Sequence, residues 1–208
     1  MANRELVYVD GESHFIRAQA AWREIHGDNV SLEQLQYQGE NTDGMLLFKP
    51  KAKIFWTRRF NAGIERAVYF TSFAGDEVGL HQIKMDLREF NLEPSVYPEN
   101  RQQAQQRQNA LTNDNLIEKA KTVDIQLTVR MLHDAQRVEY DVCHLYTSDS
   151  DFLPVIQAVQ ALGRRVYVHG FKKALSKLPD LLHVPDFFVD LEETLRNECT
   201  LRPDNVTQ

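Results

Sequence analysis

The sequence predicts an α/β fold, a mostly parallel sheet with helices on both faces. Two observations carry that expectation, and a third bounds it. Short β-rich apolar runs alternate with helix-length patterns along most of the chain. The strand–helix repeat is the order that parallel sheets require, because each crossover needs a helix. The length of 208 residues allows one sizeable α/β core and is too short for two comfortable domains.

The elements follow in order. LVYVD (6–10) reads as the first strand, and a helix runs from Ser13 to Gly27. Residues 28–65 break the rhythm and read as an insertion before the second strand, AVYFTSF (67–73). DEVGLHQIKMDLREFN (76–91) is the second helix, and SVYPE (95–99) the third strand. The Gln-rich stretch ENRQQAQQRQN (99–109) has too few apolar residues for a core element and reads as a loop or a polar helix start. The longest helical pattern covers 115–138. VCHLYTS (142–148) is the fourth strand, and DFLPVIQAVQALG (151–163) a helix closed by Gly163. RVYVHG (165–170) and FFVDL (187–191) complete the strands. The reading is one domain over residues 1–195, with residues 196–208 as a flexible tail.

Hydrophobic content of 42% and charged content of 26% are those of a soluble globular protein. MANRELVYVDGE has no basic segment followed by an apolar one, so no secretory signal is read, and no apolar run approaches the roughly 18 residues of a membrane helix. Two cysteines, Cys143 and Cys199, make no disulfide framework. A cytoplasmic protein without a membrane partner is the expectation. A homo-oligomer is compatible with the sequence but not specified by it. With a net charge of −6, the chain cannot hold nucleic acid by bulk attraction. A local basic patch or a bound cation would have to do so.

In open parallel sheets, ligands sit beyond the carboxyl ends of the strands, near the point where strand order reverses. The first strand ends on Asp10, and HLYTSD ends on Asp149 with Asp151 just after. If those strands are neighbours, as in the simplest doubly wound order, the three carboxylates share one crevice. In the longest helix Leu116, Ala120, Val123, Leu127 and Met131 form one apolar stripe, and Asp124 lies at its edge. Two carboxylates about 5 Å apart repel by roughly 3 kcal/mol at an effective dielectric near 20. Such a gathering needs a divalent cation, a basic partner or a protonated member. Asp10 and Asp149 as turn residues, Asp124 as a salt-bridge partner, and Asp151 as a helix cap before Pro154 are the plainer alternatives.

The motifs VDGES (9–13), KAKTVDIQL (119–127), YTSDSDFLPVI (146–156), GRRVYVHG (163–170) and LSKLPDLLHVPDFFVDL (175–191) together resemble the NYN family of LabA-like, PIN-like ribonuclease domains. The resemblance runs from about Leu6 to Leu191 and leaves the insertion unmatched. It implies a Rossmann-like, PIN-like three-layer sandwich. It also implies an acidic cluster that binds Mg²⁺ or Mn²⁺ and cleaves RNA phosphodiesters. Carried over by position, the catalytic acids are Asp10, Asp124, Asp149 and Asp151. Asp10, Asp124 and Asp149 would hold the metal, directly or through water. Asp151 would support them, cap a helix or serve a second ion. Where the family usually has Asn, Gly, Gly and Asp, this chain has Ser13, Ser148, Thr122 and Arg130. Ser13 and Ser148 would position a water or a phosphate oxygen.

RNA, single-stranded or structured, is the implied partner. Lys49, Lys51, Lys53, Arg58 and Arg59 interleave with Phe48, Phe55, Trp56 and Phe60 in the insertion. Cations there would hold phosphates while rings stack unpaired bases. The plainer alternative makes the rings core and the cations a solvated face. Lys119 and Lys121 precede Asp124 and read equally as RNA contacts or as helix-surface lysines. Ser176 reads as a helix cap before a phosphate contact, and His14 as a weaker candidate acid or base. The function expected is a metal-dependent ribonuclease. A non-catalytic RNA-binding or regulatory module is the alternative, and a nucleotide phosphohydrolase a third reading.

Overall fold

A computed structural model of the chain describes residues 3–37, 46–57, 64–99, 121–175 and 180–201. Its elements are β1 (Glu5–Asp10), α1 (Gly11–His26), β2 (Leu35–Tyr37), β3 (Leu46–Lys49), β4 (Ile54–Thr57), β5 (Ile64–Phe73), α2 (Glu77–Glu89) and β6 (Glu93–Pro98). They continue with α3 (Lys121–Gln136), β7 (Val142–Tyr146), α4 (Leu153–Ala161), β8 (Arg165–Gly170), α5 (Asp180–His183), β9 (Phe187–Asp190), α6 (Leu191–Glu198) and β10 (Cys199–Leu201). Six parallel strands form the central sheet in the order β6-β5-β1-β7-β8-β9. The chain moves outward from β1 through β5 to β6, then returns through α3 to β7 on the other side of β1. Strand order therefore reverses between β1 and β7, and the fold is the expected α/β arrangement.

β1 sits near the middle of the sheet and packs on both faces, which is why its sequence is apolar without interruption. Leu6 and Tyr8 face a core filled by Val123, Leu127 and Met131 of α3 and by Val155, Ile156 and Val159 of α4. Val7 and Val9 face the opposite layer, with Ile83 and Leu87 of α2. The alternation has the period of two that a pleated strand imposes. The Val123–Leu127–Met131 stripe is the core face of α3, as its spacing predicted. Leu116 and Ala120 lie outside the described residues.

The insertion is not peripheral. β3 and β4 pair as an antiparallel hairpin, and Leu47, Ala52, Ile54 and Trp56 share the core with Val7 and Val9. Phe55 and Trp56 are buried, and Phe48 stacks on Phe15 at 5.8 Å. The base-stacking role considered for these rings is therefore corrected. They are committed to the core, because burial of their area on the sheet outweighs exposure to solvent. Phe60 lies outside the described residues.

The expected tail is corrected for residues 196–201, and residues 202–208 lie outside the described residues. α6 continues to Glu198, and β10 pairs antiparallel with β2 from the insertion. Cys199 is buried beside Trp22 and Leu195. The tail becomes ordered through 201 because the insertion offers it an edge strand. Cys143 and Cys199 are both buried and free, as the absence of a disulfide framework implied. Among the described residues, no helix is long and apolar enough to cross a membrane.

Candidate functional site

At the carboxyl edge of β1 the backbone passes from strand to helix without a spacer. Asp10 is at once the last residue of β1 and the N-cap of α1, its Oδ1 accepting the Ser13 amide at 3.3 Å. Gly11 follows because nothing larger fits. A β-carbon there would lie 2.3 Å from Tyr69 Cε1 and 2.6 Å from the Phe70 carbonyl on β5. The VDG motif is thus a packing requirement of β5 as well as a cap.

The neighbouring strand ends the same way. The Thr147 hydroxyl donates to Asp10 Oδ2 at 2.9 Å and accepts the Asp149 amide at 3.1 Å. One hydroxyl therefore ties the two aspartates together across the switch point. Asp149 caps the 3₁₀ turn Ser150–Phe152 that leads into α4, accepting the Asp151 amide at 2.9 Å. The cap is Asp149 rather than Asp151, whose side chain is exposed on the same edge. Pro154 sits in the first turn of α4, where its missing N–H costs nothing.

Ser13 and Ser148 each accept a backbone amide at this edge. The Ser13 hydroxyl accepts the Ser148 amide at 3.2 Å, and the Ser148 hydroxyl accepts the Phe171 amide at 3.0 Å. Both are buried. They stitch the loops after β1, β7 and β8 into one rim. Gly170 permits the closure, since a β-carbon there would meet the Thr147 carbonyl at 2.6 Å.

Asp124 stands in the first turn of α3 and is half-buried. The N-terminus of a crossover helix begins at the carboxyl edge of a parallel sheet, so topology assigns Asp124 to the same edge as Asp10 and Asp149. Glu12 and Glu99 also lie at this edge, where sequence reasoning did not place them. Glu12 Oε1 pairs with Lys53 Nζ at 2.5 Å, and Glu99 Oε2 accepts from the Ser72 hydroxyl at 3.1 Å. Thr147 was missed as well. The T-S-D order places a hydroxyl two residues before a cap, a signal that becomes meaningful only once β1 is known to lie alongside.

The electrostatics of the edge are those of buried anion. Asp10 is 1% exposed. Burial raises the Tyr69 phenol far above its ordinary range, a hydrogen bond with the Phe55 backbone opposes this, and the Asp10 charge adds to the rise. His14 is enclosed by Phe55, Trp56, Tyr146 and Phe171, with ring centroids 5.7–6.0 Å away. Burial lowers its pKa to about 4, which corrects the acid–base role considered for it. A caged, neutral imidazole exchanges no proton with substrate.

Among the described residues, no group of three or more His, Cys, Asp or Glu side chains is arranged to hold a metal ion. Hard oxygen donors on two tied aspartates nevertheless suit Mg²⁺ or Mn²⁺. Mg²⁺ is commonly held by one or two carboxylates plus water and substrate phosphate.

The basic candidates divide. Lys49 is exposed and pairs with Asp86 at 3.1 Å, and Lys51 is exposed. Arg58, Arg59, Lys119 and Ser176 lie outside the described residues, and Lys121 is described only as the first residue of α3. Arg130 pairs with Asp134 at 2.8 Å, far down α3 from Asp124.

The comparisons with known proteins bear on the family and the fold. No curated protein matches the chain. Its fold is similar to the crystal structure of a protein of unknown function from Vibrio parahaemolyticus RIMD 2210633, with a TM-score of 0.54 and 13% sequence identity. That similarity covers 91% of this chain and 93% of the other, and at such identity it speaks for the fold alone. The model of the NYN domain matches residues 6–192. With nearly its whole length matched, the chain belongs to the NYN domain family, which implies a PIN-like, nuclease-type fold.

Proposed function

We propose that the protein is a metal-dependent ribonuclease whose Asp10 and Asp149 hold Mg²⁺ or Mn²⁺ against an RNA phosphodiester. The observation that carries this reading is the Asp10–Thr147–Asp149 chain at the switch point of the sheet. It ties the Asp10 carboxylate to the Asp149 backbone on adjacent strand ends, where parallel sheets bind ligands, and the Asp149 carboxylate accepts the Asp151 amide beside them. Family membership supports a nuclease and RNA as the substrate class.

In this reading the Thr147 hydroxyl holds Asp10 in one rotamer, so its carboxylate does not have to reorganise when substrate arrives. Asp149 is fixed by its own cap, and Asp124 approaches from α3, directly or through water. Asp151, exposed beside Asp149, is placed to orient a water. Ser13 and Ser148 set the spacing of the rim. A divalent ion bound there would polarise a phosphate oxygen and make water more acidic for in-line attack.

The test is cleavage of labelled RNA in Mn²⁺ or Mg²⁺ by the wild type beside Asp149→Asn, with calorimetric titration of Mn²⁺ into both. Cleavage and Mn²⁺ binding by the wild type, both lost in the variant, is the expected result. Equal cleavage by both would trace to contamination and end the enzyme reading. A non-catalytic RNA-binding module is the second reading. It is favoured by the lack of a three-acid group among the described residues. RNA binding by both proteins, with cleavage by neither, would establish it. Release of inorganic phosphate from mononucleotides would point to a phosphohydrolase.

A further inference from the structure

The insertion places one cation at the acidic edge under backbone strain. The 3₁₀ turn Pro50–Ala52 ends on Lys53, whose φ of 52° and ψ of 43° are left-handed. That conformation is strained for a residue with a β-carbon, and glycine would adopt it freely. The turn is held in place from β5. The Thr71 hydroxyl donates to the Ala52 carbonyl at 2.5 Å, and the Tyr69 hydroxyl to the Lys53 carbonyl at 3.3 Å. The same Tyr69 ring lies beneath Gly11, beside the Asp10 cap. Strained non-glycine residues held by surrounding structure are concentrated at functional sites.

The Lys53 side chain is 20% exposed, and its ammonium meets Glu12 Oε1, two residues past Asp10. An ammonium carries three N–H donors, and Glu12 takes one. Among the described residues no second acceptor engages it. Lys49, by contrast, is spent on Asp86 at the flank of α2.

We propose that Lys53 is a positioning residue of the acidic edge. Its ammonium, preset by Glu12, would contact an RNA phosphate oxygen next to the Asp10–Asp149 pair. The inference rests on the ribonuclease reading of that edge and assigns the insertion its part in it. A chain of net charge −6 cannot gather phosphate by bulk attraction, so a single cation delivered by a strained turn supplies it locally.

The rival is a structural clamp in which the Lys53–Glu12 pair merely fastens the insertion to α1. The two differ in symmetry. Lys53→Met and Glu12→Gln both break the pair, but only the first removes a phosphate contact. Binding of a short labelled single-stranded RNA is measured against salt concentration, with Ca²⁺ replacing the active ion. Lys53→Met should weaken binding about tenfold and reduce the log–log salt slope by roughly 0.7. Lys53→Arg should retain the slope, and Glu12→Gln should bind at least as tightly as the wild type. Thermal melts of all three establish that each is folded. Equal losses of melting temperature in Lys53→Met and Glu12→Gln, with affinity and salt slope unchanged in both, would establish the clamp and overturn the proposal. If the wild type cleaves RNA and Lys53→Met keeps its affinity, slope and KM, the proposal fails and the ribonuclease reading stands. A wild type that neither binds nor cuts RNA overturns both.

Discussion

Two buried aspartates, Asp10 and Asp134, are 1% exposed each and sit at opposite ends of the same sheet. Asp134 takes hydrogen bonds from Arg130 Nε at 2.8 Å, Arg66 Nη2 at 2.9 Å and the Tyr8 hydroxyl at 2.8 Å. Burial pushes its pKa up, but the hydrogen bonds from Arg130 and Tyr8 outweigh this and hold it below the usual carboxylate range. The hydrogen bonds described for Asp10 come from a backbone amide and a threonine hydroxyl. Guanidinium groups neutralise the Asp134 charge, whereas the bonds described for Asp10 tie a helix start to the neighbouring strand end. In the proposed reading the amino-edge aspartate serves stability and the carboxyl-edge aspartate serves the site.

The sharpest way to break this contrast is to exchange the consequences. Asp10→Asn keeps the cap, since Asn caps helices as well as Asp, so stability should change by less than about 1 kcal/mol. Mn²⁺-dependent RNA cleavage should fall by about 100-fold or more, measured by single-turnover assay. Full activity in Asp10→Asn would remove Asp10 from the site. Asp134→Ala should do the reverse. It leaves two half-buried arginines facing each other and should cost about 3 kcal/mol in urea unfolding, while activity per folded molecule is unchanged.

The next effect is a pH dependence. His14 titrates near 4 when folded and near 6.5 when unfolded, so the unfolded chain binds the proton first. Its contribution to stability is complete above about pH 6.5 and is lost as the pH falls toward about 4. Between pH 6.5 and 5 that amounts to about 2 kcal/mol. His169 has its pKa lowered to about 3 by burial, then by the charges of His144 and His14, and acts in the same direction. Urea titrations of wild type and His14→Leu at the two pH values should differ in slope against pH. Parallel curves would show that His14 is hydrated. Smallest is Lys49→Ala, which breaks the 3.1 Å pair with Asp86 at a lysine side chain that is 45% exposed. Its cost should be about 1 kcal/mol by thermal melt, because the lysine is half in solvent while the buried Asp86 keeps its hydrogen bond from Gln82.

Some of the site was legible before any fold was known. Asp10 and Asp149 could be found because each is the first acid after an apolar run, a local pattern. Asp124 could be placed at the margin of a 3.6-residue stripe, and Val123, Leu127 and Met131 do fill the core. The insertion was legible only as a break in rhythm. Its alternation of rings and cations looks the same whether the rings face bases or Val7 and Val9. Phe55 and Trp56 were decided by the sheet they cover. The backbone amides that Ser13 and Ser148 accept were not legible, since no local pattern announces that the Phe171 amide will need an acceptor.

What the sequence determined by itself is what short-range physics encodes. This includes the strand and helix periods and the acidic character of the strand ends. Tertiary structure alone decided which of these features meet. The Thr147 hydroxyl reaches Asp10 across 137 residues of chain, Lys53 reaches Glu12 across 41, and β10 finds β2. A carboxylate is specified by its own codon, but its partners are specified by the register of strands that the hydrophobic core brings side by side.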